Sequence, residues 1–556
     1  MRTNAPLLLA LLISHTALSA ELPSAASQIQ QVPAAPAITR SPPELQLERT
    51  IAALIAPGDD ASLIVNGLRV LDAHAFTADE LIAASGFKQG SELGLSALRE
   101  LAAKMAEYYH RRGYFLAQAA VPAQDIVDGI VTINVVEGQY GAVVLRNQSK
   151  LSDAFLQQTL DGLASGDAIT IAPLESRLLR LSDLPGVHVQ STLTPGASVG
   201  ASDLIVDVSP GRLISGSVDA DNSGSRYTGA RRAGASLNFN NPFGVGDVAT
   251  LRAFSSFDGL NYGRAAYQRQ LIGADIGVAY TALSYELGRE FESLQAHGTA
   301  QIASLYGRLP LKRSRASNLH AQLSIDTKTF RDEVAATAPA SVAEKSATVG
   351  MLSLLGERRD AIGGGGLNTY ALTWSYGTLD LKNPQMRMTD AVTAHTDGRY
   401  DKWTYELARL QSITSALSVS IALRGQVADQ NLDVAEKLGL AGANAVRAYP
   451  EGELYVDEGY LLNLEARTLL PKLFDSMPGQ LQWVVFFDGA RGQLSEDPWS
   501  TARNHRSLSA GGMGINWFAA ARFSMKAYYA QKLGSEPTTS APDADGRFWV
   551  SAVRSF

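Results

Sequence analysis

The most suggestive catalytic motif in the chain is a serine placed between two glycines. Residues 196–200 read Gly-Ala-Ser-Val-Gly, and in many hydrolases this GxSxG pattern holds a nucleophilic serine on a turn from a strand to a helix. Here the motif falls between two predicted strands, so a nucleophile elbow is not expected. The glycine run at 363–366 has no helix after it and does not predict a phosphate-binding loop.

Composition excludes several other kinds of chemistry. The 556 residues include no cysteine, which rules out disulfides, thiol catalysis and CxxC zinc sites. The eight histidines are scattered singly, without the paired spacing that metal ligands require. A net charge of −7 argues against binding to nucleic acid, which favours a basic surface. We therefore predict a protein that is not an enzyme and that has no cofactor, metal or nucleic-acid partner.

Arg447 and Asp488 are the remaining candidates for a functional interaction. Asp488 ends an alternating segment whose apolar residues take the opposite face, and Arg447 lies in a long connection at about 431–458. If the two met in a partly desolvated place, they would form a strong charge-assisted pair. From these residues alone, the simpler interpretation is an exposed arginine and an unrelated carboxylate, because surface pairs contribute only about 0–1 kcal/mol.

Residues 211–556 have the pattern of a membrane β-barrel. Apolar and polar residues alternate along segments of about ten residues that are separated by Gly, Asn, Asp and Pro, as in outer-membrane strands. Sixteen such segments begin near residues 214, 229, 247, 261, 275, 298, 316, 345, 364, 398, 417, 459, 479, 506, 521 and 546.

Connection lengths support a barrel over a soluble β-protein. Long polar connections such as 380–397 alternate with short ones, as expected for external loops and periplasmic turns. A propeller or sandwich would need a second layer to cover the apolar face of nearly every strand. The fold class is therefore predicted as a membrane all-β protein, a 16-stranded antiparallel outer-membrane barrel with both ends of the barrel sequence on the periplasmic side.

The residues before the barrel divide into four parts. Residues 1–20 have a basic start, a short apolar run and small residues near Ala20, which predicts a cleaved secretory signal. Residues 21–60 are predicted as a Pro-, Ala- and Gln-rich linker, with a possible helix only at 44–55. Residues 61–138 and 139–210 each show the order β-α-α-β-β, which predicts two small α+β modules in the periplasm.

Four motifs carry a resemblance to a known family. The run 109–114, Tyr-His-Arg-Arg-Gly-Tyr, and the later Glu137-Gly138 resemble the signature of a POTRA domain, and 184–187 with 195–204 resemble a second one. The run 442–453 is similar to a loop bearing the VRGY motif, and 486–488 resemble FxDxG. The chain from about residue 60 therefore resembles the TpsB transporters of two-partner (type Vb) secretion. It departs at Ala448 and Ala490, where that family usually has glycine.

The resemblance implies a function and a set of site residues. TpsB proteins capture an unfolded TpsA-type exoprotein, a haemolysin or adhesin, through POTRA domains and export it through the outer-membrane barrel. An outer-membrane assembly factor is the alternative, and a diffusion porin would leave the two modules without a role. The implied residues of the pore loop and its wall are Val446, Arg447, Ala448, Tyr449, Phe486 and Asp488.

Three further expectations concern partners and the N-terminus. Tyr109, Tyr114 and Phe115 are weaker predictions for contact with the exoprotein. The terminal Phe556 resembles the signal that the barrel assembly machinery recognises, and outer-membrane lipid is expected around the barrel. The family often has a plug helix inside the barrel, but the prolines of 21–43 argue against a helix there, and 44–55 is the better candidate.

Overall fold

The computed structural model describes residues 22–33, 44–47 and 62–556, apart from 272, 338, 473, 520 and 521. The predicted signal at 1–20 and most of the predicted linker lie outside these residues. The described chain forms two α+β modules, a closed β-barrel and a short helix inside the barrel. None of the helices in these ranges is long and apolar enough to cross a membrane.

The first module packs two helices on small sheets. Its elements are β2 (Leu63–Val65), β3 (Gly67–Leu71), α2 (Ala78–Ser85), β4 (Ser91–Leu93), α3 (Leu95–Arg111), β5 (Gln118–Ala120) and β6 (Ile130–Val136). Strand β3 is parallel to β6, and β5 is antiparallel to it. The predicted stripe of α3 is buried, including Met105 and Tyr109, and Gly113 has the positive φ of 94° that a helix end favours.

The second module repeats the arrangement and packs on the first. Its elements are β7 (Gln139–Asn147), α4 (Asp153–Leu160), α5 (Ile171–Ser182), β8 (Val187–Pro195) and β9 (Ala201–Pro210). Phe115 and Leu116 of the first module pack against its core. The amide of Ile171 also donates a hydrogen bond to the carbonyl of Gly113 (2.9 Å). The two modules therefore share a packed border.

A strand replaces part of the helix predicted at 44–55. Residues Glu44–Leu47 form β1, which adds in parallel to β8, so the sheet order is β1-β8-β9-β7. The helix prediction is wrong for these four residues because the edge of β8 offers free backbone groups. Residues 48–55 lie outside the described chain.

The barrel confirms the predicted fold class. Its strands are β10 (Ile214–Asp221), β11 (Arg232–Asn240), β12 (Asp247–Ser255), β13 (Leu260–Leu271), β14 (Ala274–Glu286), β15 (Ala296–Arg313), β16 (Ser317–Val334), β17 (Ser341–Asp360), β18 (Gly366–Leu381), β19 (Gly398–Ser412), β20 (Leu417–Ala428), β23 (Glu458–Leu470), β24 (Gln480–Gln493), β25 (His505–Ala519), β26 (Phe523–Lys532) and β27 (Gly546–Ser555). A short hairpin, β21 (Leu438–Gly439) and β22 (Tyr455–Val456), lies in the connection between β20 and β23. The largest error in a predicted start is four residues, at β17.

A helix also occupies part of the proline-rich N-terminal segment. Helix α1 (Ala25–Gln30) lies inside the barrel against β14, β15 and β16. The expectation that prolines exclude a helix here is wrong, because the six helical residues fall between Pro23 and Pro33. The side chain of Ser24 caps the first turn.

One further helix, α6 (Pro384–Asp390), lies in the connection between β18 and β19.

Two periplasmic turns attach the second module to the barrel. Arg313, at the end of β15, donates two hydrogen bonds to the carboxylate of Asp183 (2.7 and 2.8 Å). In the turn before β12, Gly246 has a φ of 71°, and a side chain there would meet the ring of Phe155. These contacts fix the module below the barrel opening.

Candidate functional site in the barrel lumen

The long connection between β20 and β23 folds back into the barrel. We call residues 429–457 the inward loop. Its tip includes Val446, Ala448 and Tyr449, which are all fully buried and pack against residues of β24, β25 and β26. The predicted pore-loop residues are therefore in the lumen, not in solvent outside the cell.

Arg447 at the tip forms a bidentate pair with Asp488 on β24. Its Nε lies 2.8 Å from Oδ2 and its Nη2 lies 2.7 Å from Oδ1 of the carboxylate. The Arg447 amide also donates to Oδ2 (3.2 Å). The guanidinium makes a further ion pair with Glu465 of β23 (2.8 Å). Arg447 therefore bridges two neighbouring strands of the barrel wall, and the simpler interpretation of an exposed arginine does not hold in this structure.

Three other side chains support the pair. The ring of Phe486 lies 3.5 Å from Cζ of Arg447, a cation–π contact. Asn463 donates to Oδ1 of Asp488 (2.7 Å) and to the carbonyl of Ala445 (3.1 Å). The indole N–H of Trp549 on β27 donates to the carbonyl of Arg447 (2.6 Å). The charges are thus buried but fully hydrogen-bonded, as a buried pair requires.

Other ion pairs hold the rest of the inward loop to the wall. Asp433 pairs with Lys345 of β17, Glu436 with Lys328 and Lys402, and Glu453 with Arg506 of β25, at 2.6–3.1 Å. These pairs were not predicted from the sequence. Lys328, Lys345 and Lys402 lie on barrel strands with buried or half-buried side chains, and a lysine within an alternating strand was the available signal.

Helix α1 and the inward loop are bonded to each other. The side chain of Gln31 donates to Oη of Tyr455 (3.2 Å), and that hydroxyl donates to the carbonyl of Ser27 (3.1 Å). The amide of Ala25 donates to Asp332 at the outer end of β16 (2.7 Å). Together the helix and the loop fill much of the lumen and leave cavities of about 610 and 910 Å³ beside them.

The structure does not favour the predicted contact residues of the first module. Tyr109 is 0% exposed and donates to Oε1 of Glu137 (2.7 Å). Burial, and then the neighbouring Glu137, raise the pKa of this phenol well above its ordinary value. Tyr114 packs edge-on against Tyr109, and Phe115 packs on the second module. Tyr109 and Tyr114 therefore pack in the core of the first module, and Phe115 packs at its border with the second.

Phe556 lies where the barrel closes. Its amide donates to the carbonyl of Gly216 on β10 (3.0 Å), and Gly216 donates back (3.2 Å). The ring packs over Gly216, where a Cβ would come within 2.7 Å of Cζ. The chain terminus thus completes the pairing between the last strand and the first.

Comparison with known proteins defines the family. Residues 200–517 match the haemolysin secretion/activation protein family ShlB/FhaC/HecB, and residues 63–138 match the POTRA domain, ShlB-type. The first match covers more than half of the chain. The protein therefore belongs to the ShlB/FhaC/HecB family of haemolysin secretion/activation proteins.

Individual relatives agree with this assignment. The heme/hemopexin transporter protein HuxB of Haemophilus influenzae (strain 86-028NP) is 28% identical over 476 residues, which cover 84% of this chain and 82% of HuxB. The outer membrane transporter CdiB of Dickeya dadantii is 23% identical over 369 residues, 64% of this chain and 63% of that protein. The fold matches CdiB from Escherichia coli with a TM-score of 0.68 at 19% identity, covering 91% of this chain and 93% of that one.

The class of protein follows from these matches. The chain is an outer-membrane transporter of two-partner secretion, and its POTRA domains lie in the periplasm. A BamA structure from Haemophilus ducreyi also matches, at a lower TM-score of 0.53 and 13% identity. That likeness concerns the fold, and the family match favours a secretion protein over an assembly factor.

Proposed function

We propose that this transporter binds one unfolded exoprotein of the haemolysin or adhesin class in the periplasm and threads it through the barrel to the cell surface. The observation that carries the proposal is the Arg447–Asp488 pair, which holds a loop across the lumen of a closed barrel. A loop held by polar contacts can be released without breaking the barrel wall. The pair therefore sets whether the pore is closed or open.

Capture of the exoprotein is assigned to the edge of β8. An extended chain can add to an exposed strand edge, where backbone hydrogen bonds give affinity without strict recognition of side chains. In the present structure this edge is paired with β1, from Glu44↔Gln190 to Leu47↔Leu193. An exoprotein that binds the same edge must displace β1. Since β1 follows α1 in the chain, this displacement would also act on the helix in the lumen.

Passage requires both lumen elements to move. Helix α1 and the tip of the inward loop are held by side-chain contacts with the wall, and neither belongs to the barrel sheet. Folding of the exoprotein outside the cell would then draw the equilibrium forward, because a folded client cannot return through the pore. The barrel itself would stay in the lipid, with apolar side chains such as Trp483 and Val485 exposed on its outer face.

Assembly of the barrel is assigned to the general assembly machinery of the outer membrane. The C-terminal strand β27 is followed directly by Phe556, which is 43% exposed on the outer face. This residue would be available for recognition before β27 pairs with β10. No residue in the described chain is proposed to act in catalysis or to hold a metal.

A secretion assay tests the proposed function. A large candidate exoprotein from a neighbouring reading frame is co-expressed with the transporter, and the client is measured in medium, at the cell surface and in the periplasm. Appearance of the client outside only when the transporter is present supports the proposal. An unchanged periplasmic client, with loss of many outer-membrane barrels on depletion, would instead support an assembly factor.

A further inference from the structure

The two cavities in the lumen share a thin wall. The cavity of about 610 Å³ lies on the external side, among residues 494–504 and 539–541 of two external connections. The cavity of about 910 Å³ lies toward the periplasm and reaches Glu406 and Lys526. Five residues face both cavities, so a single layer of side chains separates them. We call this wall the septum, which consists of Gln31, Lys437, Glu451, Gly452 and Tyr455.

Hydrogen bonds fix the septum without thickening it. The hydroxyl of Tyr455 donates to the carbonyl of Ser27 (3.1 Å) and accepts from Nε2 of Gln31 (3.2 Å). Gly452 has a φ of 78°, and a Cβ there would come within 2.8 Å of the same Nε2. A glycine therefore keeps the wall thin at the point where another residue would add a second layer.

Glu451 carries the negative charge of the septum. Its Oε1 accepts from the amide of Ala443 (2.9 Å), and the carboxylate makes no ion pair with a residue of the described chain. The charges that face it, Arg232 and Asp221, pair with each other (2.8 Å). Gly442, with a φ of 121°, leaves room for the carboxylate, since a side chain there would collide with it.

The other charges around the septum have partners. Lys437, the positive charge of the septum, pairs with Asp457 (2.9 Å). In the larger cavity, Glu406 pairs with Arg424 (2.9 Å), and Lys526 faces a carboxylate of β23. Glu451 is therefore the charge that its surroundings leave uncompensated. A single uncompensated charge in a narrow passage with low-dielectric walls concentrates ions of the opposite sign.

A second acceptor lies in the septum beside this carboxylate. Oε1 of Gln31 is buried and has no hydrogen-bond donor in the described part of the chain. A buried carbonyl oxygen without a partner is costly, and a cation that passes between the two cavities would satisfy it. Carboxylate and amide oxygens are also the atoms that hard cations prefer.

We infer that the resting transporter passes small monovalent cations through the septum, where Glu451 selects cations over anions and Gln31 supplies a second oxygen. The ion is attracted in transit and is not retained as a bound metal. The inference goes beyond the proposed function and does not rest on it, because the ions cross while α1 and the inward loop stay docked and no exoprotein is present.

Ion selectivity in planar lipid bilayers tests the inference. The full-length protein is reconstituted without client, and the reversal potential of the steady current in a KCl gradient gives the ratio of K⁺ to Cl⁻ permeability. E451Q keeps the acceptor for the Ala443 amide and removes the charge. We expect the ratio to fall about fivefold, the change for a unit charge about 4 Å from the ion in water. Adding Q31E to E451Q returns a carboxylate to the septum and should recover the ratio.

Two controls define the result. E406Q removes a carboxylate that lines only the larger cavity, and it must leave the ratio unchanged. Replacement of K⁺ by tetrabutylammonium must abolish the steady current, because this ion is too large to pass between packed side chains. A current of tetrabutylammonium as large as that of K⁺ would show an open pore in place of the septum and would overturn the inference.

The remaining outcomes are equally decisive. An unchanged ratio in folded E451Q, an equal fall in E406Q, or a wild-type current no larger than that of protein-free lipid would overturn the inference. Heat-modifiable migration on gels identifies folded barrels. If E451Q does not fold, Q31E alone decides the outcome, since it must raise the ratio above that of wild type.

Secretion of the client, measured separately for wild type, keeps the two proposals apart. Export of the client together with an unselective current means that the inference fails and the transporter function stands. A cation-selective current that depends on Glu451, without export of any client, means that the proposed function fails and the inference stands.

Discussion

Asn463 and Asp488 lie directly opposite each other on β23 and β24, and the amide of Asn463 holds both the carboxylate and the loop. One of its hydrogens goes to Asp488 and the other to the carbonyl of Ala445. In the docked state Asn463 therefore both orients the carboxylate that binds Arg447 and holds the loop tip.

The first prediction concerns this amide. N463A removes both hydrogen bonds and leaves Asp488 with one donor fewer, so docking of the loop is expected to weaken by about 1–3 kcal/mol. The change is measured as faster cleavage of the inward loop by an added protease in outer-membrane vesicles. N368A is a matched control, because Asn368 bridges Asp360 and Arg409 in a comparable network away from the loop. Equal cleavage of N463A and wild type would contradict the prediction.

The second prediction concerns the core of the first POTRA domain. Glu137 accepts from the hydroxyl of Tyr109 and from the amides of His74 and Ala75, each at 2.7 Å. E137A leaves three donors unsatisfied and should make this domain more sensitive to limited proteolysis, whereas Y109F removes only one bond and should have a smaller effect. If Y109F leaves the domain as stable as wild type but abolishes client binding, Tyr109 is a contact residue after all.

The third prediction concerns the edge of β8. Gln46 and Thr192 are partners in the parallel pairing of β1 with β8, so a Q46C/T192C disulfide should be geometrically feasible. With β1 fixed on the edge, the client cannot add there, and secretion should stop until a reductant is added. Each single cysteine variant serves as a control and should secrete normally. Normal secretion with the disulfide formed would show that β1 need not leave.

Alternation along the strands was sufficient to predict the barrel and the facing of its wall residues. It placed Asp488 in the lumen because apolar partners such as Trp483 and Phe487 take the other face. The resemblance of the motifs to the family then predicted that Asp488 pairs with Arg447. The spacing of the two residues in the sequence could not predict this pair. The partners Asn463 and Trp549 were not predicted, because their proximity depends on the register between strands and on where the loop tip ends.

The N-terminal segment shows where local patterns mislead. Six residues between two prolines formed α1 because Ser24 caps them and the barrel wall buries Ala25 and Ala26. Residues 44–47 became a strand because an edge elsewhere in the chain was available. Both outcomes depend on tertiary partners far away in sequence. Contact with the exoprotein stays a prediction for Tyr109, whose side chain lies in the packed core of the first module.

The most direct test of the central claim is secretion of the client by R447A. Removing Arg447 leaves Asp488 and Glu465 buried with less compensation, a change that costs about 3–5 kcal/mol. The loop then cannot return to its docked position, and the alternation between docked and released states on which passage depends is lost. R409A is the control, because Arg409 also pairs with a carboxylate, Asp360 (2.7 Å), but not with the loop. With equal amounts of folded barrel in the outer membrane, we predict that R409A secretes like wild type and that R447A secretes only a small fraction. Wild-type secretion by folded R447A would contradict the account.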